Sequence, residues 1–451
     1  MKFIQFIVPV GLLALSTGGC ARYSAFPLDT AASSLATPSS TSLSRDASII
    51  NRPYLKPVAI DLTQPLDPNA IAIIAVLANT DLRALRERAG ISDAQVFAAG
   101  LLPDPTFSLG VDHIIGGPPA IDNIVGALGL SLNALRTRAA VRAQARAAAR
   151  QVRLDLAWAE WQTAGQARIQ AERVIGLERT RSLAVASREA AQSLLDRMLR
   201  AAGRGDLAPD QLQAARLSAF DATDRLRIFE RDLVTARLEL LRLMGLPPDY
   251  RLRLATPAPV AGSTLSVERL FASATRNRDD LAALEAGYGA QEAALRKAIL
   301  DQFPTLDLTI NASRDTGRNV LLGPAIGFTL PLWNRNRGGI AVEKATRAAL
   351  RSEYSARLFK TRADIAAAVA AIEVLRRQKS ALEADIPAVS RFARATGRAA
   401  RRGDLAMATA QTAEAALRDK QLLLVQADQA IAEQMIALEL LTGGLRESWP
   451  E

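Results

Sequence analysis

From residue 138 to residue 202 the chain runs without a proline and with only two glycines, Gly165 and Gly176. Nothing in that span stops a helix, and at ~1.5 Å per residue it predicts a single element on the order of 100 Å long. No one globular core needs such a length. Isolated helices gain little stability in water, so a helix this long has to find partner helices along its course. A second such stretch, about 339 to 402, is interrupted only by Pro387. Both turn at a glycine and return as a second helix, about 208 to 243 and 406 to 441.

The long helices belong to a duplicated plan. Asp81-Leu82 returns as Asp280-Leu281, and Pro105-Thr106-Phe107 returns as Pro304-Thr305-Leu306, each at an offset of 199. Gly205-Asp206-Leu207-Ala208 returns as Gly403-Asp404-Leu405-Ala406, offset 198, and Leu238-Glu239-Leu240-Leu241 recurs identically at 438 to 441, offset 200. A single match in an Ala/Leu/Arg-rich chain means little, but constant order and near-constant offset mark an internal repeat. The proline-rich residues 251–264 read as the connector between a first repeat, 67–250, and a second, 265–445, with 446–451 as a tail.

Each repeat opens with a helical segment, about 69 to 101 and 267 to 300, followed by two short alternating runs. Leu306, Leu308, Ile310 and Ala312 alternate with Asp307, Thr309, Asn311 and Ser313, while Phe107, Leu109 and Val111 alternate with Ser108, Gly110 and Asp112. A period of two with one apolar and one polar face predicts strands, at about 105–113, 124–132, 304–313 and 322–332. The fold class expected is therefore mainly α with a small β part. Strands of this kind sit in a bilayer only when every backbone N–H and C=O is paired, which requires a closed barrel. Four strands cannot enclose a lumen, so the hairpins call for sister chains, and the long antiparallel coils would continue the barrel as an α-helical cylinder.

The amino terminus gives an address. Met1-Lys2, the apolar run 3–15 and the small residues before Cys20 have the layout of a secretory signal, 1–19, too short to span a bilayer. With Cys20 directly after Gly18-Gly19, the segment resembles a bacterial lipoprotein signal in which that cysteine is lipidated, although Thr17 stands where such signals carry Leu. Residues 20–66, rich in Ser, Thr, Ala and Pro, then read as a lipid-anchored extended tether.

Composition removes most enzymes. One His and one Cys among 451 residues leave no stock for imidazole base catalysis, a Cys/His nucleophile or a transition-metal cluster, and no catalytic residue, cofactor or metal set is assigned. The net charge of +10 comes from Arg dispersed among Glu and Asp along helical faces, without the aromatic-interleaved stripe of a nucleic-acid binder.

Three motifs carry a family resemblance: Leu102-Pro103-Asp104-Pro105 before the first strand, Pro331-Leu332-Trp333-Asn334-Arg335-Asn336-Arg337-Gly338 after the fourth, and Gly-Asp-Leu at both turns. Together they resemble the TolC family of outer-membrane efflux proteins over about residues 67 to 445, and the Pro-Leu-Trp segment is similar to the CzcC-like branch of RND-type systems. The resemblance implies a homotrimer with a 12-stranded barrel in outer-membrane lipid. It also implies helix tips at Gly205, Asp206, Leu207, Gly403, Asp404 and Leu405 that dock a periplasmic adaptor joined to an inner-membrane pump of the RND class. Where relatives narrow the tunnel with carboxylates, this chain has Thr409 and Thr412 with Arg398, Arg401 and Arg402 beside them, which implies either a weaker cation preference or an anion preference, or else arginines that pair with Asp404 and with adaptor carboxylates. A type I secretion outlet for polypeptides shares this architecture, whereas a non-conducting periplasmic scaffold has no use for two amphipathic hairpins.

Overall fold

The computed structural model describes residues 22–30, 38–113, 115–117, 121–206, 209–256 and 265–449. The signal segment, Cys20, Leu207 and residues 257–264 of the connector lie outside the described residues. Residues 22–30 contain no helix or strand, and every element below belongs to the unit that begins at Pro38.

A short helix α1 (Ser40–Ser48) precedes the first repeat, which comprises α2 (Pro68–Ala78), α3 (Thr80–Gly100), β1 (Thr106–Asp112), β2 (Asn123–Ser131), α4 (Leu132–Gly203) and α5 (Pro209–Leu243). The second repeat follows the same order with α6 (Val267–Asn277), α7 (Asp279–Leu300), β3 (Leu306–Arg314), β4 (Val320–Phe328), α8 (Arg337–Arg402) and α9 (Met407–Thr442). Helix α4 has 72 residues and α8 has 66, or about 108 and 99 Å. Pro387 sits inside α8 without ending it, so the loss of one backbone hydrogen bond is outweighed by packing along the rest of the helix.

The opening helical segment of each repeat, read from the sequence as one helix, is two. The break falls at Asn79 in the first repeat and at Arg278 in the second, and both residues do equivalent work. The Asn79 amide caps α3, accepting from Leu82 N at 3.0 Å, and donates to the Leu243 carbonyl at 2.9 Å. The Arg278 guanidinium donates to the Leu441 carbonyl at 3.1 Å and lies 4.7 Å from the Trp158 ring. Each break therefore meets the last turn of its own returning helix. Gly245 and Gly443 make the approach possible: both have positive φ, 61° and 72°, and a Cβ would stand 2.1 Å from the Ala78 carbonyl oxygen or 2.8 Å from that of Asn277.

The buried core follows the duplication. In the first repeat α2 packs on α4 and α5 through Ile71, Ile73, Ile74, Ala167, Leu240 and Met244. In the second, Leu270 of α6 packs with Ile365, Ile372, Met435 and Leu438. One difference changes the reading of residues 40–66, the later part of the expected tether. Eight of the eleven residues of α2 are buried, so this helix is apolar on all sides and needs cover from both. The segment expected as an extended tether supplies it: Leu43 and Ala47 of α1, then Ile50, Leu55, Ile60, Leu62 and Leu66, are buried in the same cluster. Glu160 fixes that strap, accepting from Arg52 at 2.5 and 3.1 Å and from Arg86 at 2.7 Å. Burial alone would raise the Glu160 carboxyl, but these two guanidiniums hold it below the usual carboxylate range.

At the joints, Gly245→Ala and Gly443→Ala combine a left-handed backbone with a carbonyl in the way, and each is expected to cost at least about 1–3 kcal/mol. Gly90→Ala, in α3 with nothing within 4 Å, should instead stabilise by roughly 0.5–1 kcal/mol. Thermal unfolding followed by helical circular dichroism separates the two outcomes.

Candidate functional site

The four strands form one antiparallel sheet in the order β1-β2-β3-β4, with both outer edges unpaired among the described residues. Its register decides what the two faces hold. Across the sheet Leu109 stands opposite Gly126, Leu128 opposite Ile310, and Ile310 opposite Pro324, so these positions share a face. The same pairing gathers Phe107, Val111, Ile124, Leu306, Leu308, Leu322, Ile326 and Phe328 on that face. The opposite face carries Ser108, Asp112, Asn123, Gly129, Ser131, Asp307, Thr309, Asn311 and Ser313. Within one chain the apolar face is bare, with Phe107 72% and Leu322 77% exposed. An apolar patch that spans a whole sheet marks a lipid or protein contact rather than a wetted surface.

The sheet joins the helices through a rigid junction. The Pro-Leu-Trp-Asn-Arg-Asn-Arg-Gly segment lies outside β4, which ends at Phe328 rather than near residue 332; its first six residues form the turn and Arg337-Gly338 open α8. The Thr329 amide still donates to the Thr305 carbonyl at 3.3 Å, and Leu330-Pro331 then leaves the sheet. Arg335 and Asn336 both take left-handed backbone, φ 45° and 50°. Asn336 donates to the Ala298 carbonyl at 2.8 Å, tying the start of α8 to the end of α7. In the first repeat Arg138 donates to the Gly100 carbonyl, across the same 38 residues, tying α4 to α3. Leu332 and Trp333 stay exposed beside the apolar face, where an indole suits a membrane boundary.

At the far ends of α4 and α8 the two tips are built alike. Gly205 and Gly403 have φ of 78° and 85°, and the amides of Asp206 and Asp404 reach back to the carbonyls of Ala201 and Ala399 at 3.0 and 2.9 Å. Arg204 pairs with Asp206, and Arg402 with Asp404, both at 2.8 Å. Gly203 does not use the freedom of glycine, since it lies in the last turn of α4. Leu405 is exposed beside its tip.

The five residues read as a constriction do not come together within one chain. Arg398 and Arg401 line a groove of about 430 Å³ between α8 and α9 with Arg394, Arg418 and Glu414. Thr412 lines another, about 910 Å³, between α4, α5 and α9, with Leu194, Met198, Leu217 and Met407. Arg402 is engaged by Asp404, and Thr409 is exposed on α9. Sequence reasoning missed the joint residues Asn79, Arg278, Gly245 and Gly443. A glycine just after each returning helix was their only visible signal.

Residues 270–444 match the family model described as outer membrane efflux protein. The match runs from α6 to just past the end of α9, the span of the second repeat. Over most of the chain the fold is similar to those of solved outer-membrane channels. The solved channel CusC matches with a TM-score of 0.69 at 16% identity, over 84% of this chain and 92% of that one. The CmeC outer membrane channel of Campylobacter jejuni matches at 0.71 and 14%, over 85% and 87%. The open state of the Neisseria gonorrhoeae MtrE outer membrane channel matches at 0.65 and 19%, over 83% and 88%. At these identities the likeness establishes the fold. No curated protein sequence matches the chain.

The two faces of β3 can be told apart by neighbouring substitutions. Ile310→Arg, on the apolar face at mid-strand, should destabilise the lipid-folded protein by about 2–4 kcal/mol, whereas Asn311→Arg on the other face should cost under ~1 kcal/mol. Urea titration in lipid vesicles measures both.

Proposed function

We infer that three copies of this chain form the outer-membrane exit duct of a tripartite efflux system, a passive conduit for small molecules or metal ions. The observation that carries the reading is the sheet: one continuous apolar face in register over four strands, with unpaired edges at β1 and β4. In lipid those edges cannot stay open, and joining β4 of one copy to β1 of the next closes a ring. Three copies give twelve strands, four from each, enough to leave a lumen where eight would fill it with side chains.

The helices support the same closure. Below the sheet, contacts run in the order α5, α4, α9, α8, which leaves one side of α5 and one side of α8 without a neighbour. Exposed apolar residues concentrate on these two helices: Leu217, Phe220, Ile228, Val234 and Leu238 on α5, and Phe359, Val374 and Phe392 on α8. Such faces are covered when α8 of one copy packs on α5 of the next, in continuity with the strand seam. In this reading Cys20 carries the lipid and the tips at Gly205–Asp206–Leu207 and Gly403–Asp404–Leu405 meet a periplasmic adaptor and, through it, an RND-class pump.

The chain reconstituted from detergent is expected to be trimeric on native mass measurement and to give stepwise conductance in planar bilayers. Single chains that leave bilayers impermeable would sink the proposal. The five Arg and no acid in residues 391–402, brought together threefold, should give a reversal potential in a salt gradient that shows weak cation preference or anion preference. Strong cation selectivity would refute the tip assignment while leaving the duct in place.

A further inference from the structure

The duplication offers a comparison within the molecule. Each repeat has a groove between its long helix and its returning helix, close to the tip. In the first repeat it is lined by Arg188, Arg200, Glu189 and Asp196, two charges of each sign. In the second it is lined by Arg394, Arg398, Arg401 and Arg418 against a single carboxylate, Glu414. Backbone and tip are alike in the two grooves, but one is neutral and the other carries an excess of three positive charges (four Arg less one Glu).

The cations of the second groove are available. Arg418 is held by Glu414 at 3.0 Å, but Arg394, Arg398 and Arg401 make no ion pair among the described residues, and all three are exposed. They stand at i, i+4 and i+7 of α8, so they line up along one face of the helix, one turn apart. Beside them Ala393, Thr396, Gly397 and Ala400 are buried, Ala393 and Gly397 line the same groove, and a Cβ on Gly397 would lie 3.9 Å from the Glu414 carboxylate on α9. The arginines therefore edge an open trough that runs parallel to a coiled-coil pair, the shape into which a further helix fits. Evenly stepped guanidiniums, fixed in spacing by the helix beneath them, suit carboxylates stepped in the same way better than they suit one small anion.

We propose that the α8–α9 groove is the docking site for an acidic partner helix that presents Asp or Glu at i, i+4 and i+7 to Arg394, Arg398 and Arg401, and that the α4–α5 groove is not. This rests on the adaptor-docked duct proposed above and names the chemistry of the docking partner. Three of the six grooves of a trimer would then accept the acidic helix, and repeat divergence would set where partners sit around the ring.

The test uses the purified trimer and two synthetic stapled helices of about 20 residues, identical except for Glu or Gln at three positions spaced i, i+4, i+7. Fluorescence anisotropy at low salt should show the Glu helix binding at least about tenfold tighter than the Gln helix, an advantage that falls below about twofold at ~0.5 M NaCl. The pair Arg398→Glu with Arg401→Glu should erase it, and Arg200→Glu in the first groove should leave it unchanged. Equal binding of the two helices overturns the inference, as does an equal loss in Arg200→Glu. So does a disulfide between Arg398→Cys on one copy and Asp210→Cys on the next, because α5 of the neighbour would then already cover the trough edge. Trimer mass and conductance are read on every variant. A conducting trimer that ignores the Glu helix sinks this inference alone, while a non-conducting monomer sinks the duct.

Discussion

Everything in this molecule answers to the two open edges of its sheet. Four strands in register collect most of the large apolar side chains on one face, with Arg314 at its end, and mainly polar or small ones, with Val125 and Leu321, on the other, leaving N–H and C=O groups of β1 and β4 without strand partners among the described residues. Water could satisfy those groups, but water would also have to wet Phe107, Leu109, Leu322 and Ile326. Lipid satisfies the side chains and forbids the open edges. In the proposed duct a neighbour strand resolves both demands together, which is why that reading starts from the hairpins before any helix is considered.

The helices then have to hand that closure over a distance of about 100 Å. A helix that long bends easily unless its ends are fixed, and the structure fixes them by repetition of one device. Asn336 and Arg138 bind carbonyls of the preceding helix at the strand end. Midway, Asn79 and Arg278 bind the last carbonyls of the returning helices, at points where Gly245 and Gly443 allow backbone to touch backbone. The chemistry differs between repeats, amide in one and guanidinium in the other, while the geometry is kept. Across the repeats, α4 and α9 are joined by Arg168 and Glu439 at 2.6 Å and by the close seating of Leu440 on Gly165, so the two halves act as one wall.

Long-range periodicity made most of this legible in the sequence. One long span without proline and a second with only Pro387 announced α4 and α8, alternation announced the strands, and the offset of the matches announced the duplication. What stayed hidden was decided by contacts between distant segments. The breaks at Asn79 and Arg278 carry no proline or glycine of their own, and their cause is a helix end more than 160 residues away. The N-terminal segment looked like a tether because its apolar residues are sparse, and the evidence against that lay elsewhere, in a helix α2 with no polar side to give to water. At the tips, Arg398 and Arg401 of α8 and Thr412 of α9 line two different grooves of one chain, a separation that sequence proximity does not reveal.

Duplication also explains where this fold is free to change. Joint and tip backbones are constrained by left-handed φ and by carbonyls packed against them, and at those places the repeats agree. Most charged side chains that edge the tip grooves are exposed within one chain, and there the repeats have diverged from charge balance to an excess of arginine. Exposed charges contribute little to stability, so folding does not dictate their sign. Their effect falls on whatever approaches the tip, and an arginine stripe costs least in self-repulsion when carboxylates from outside stand against it.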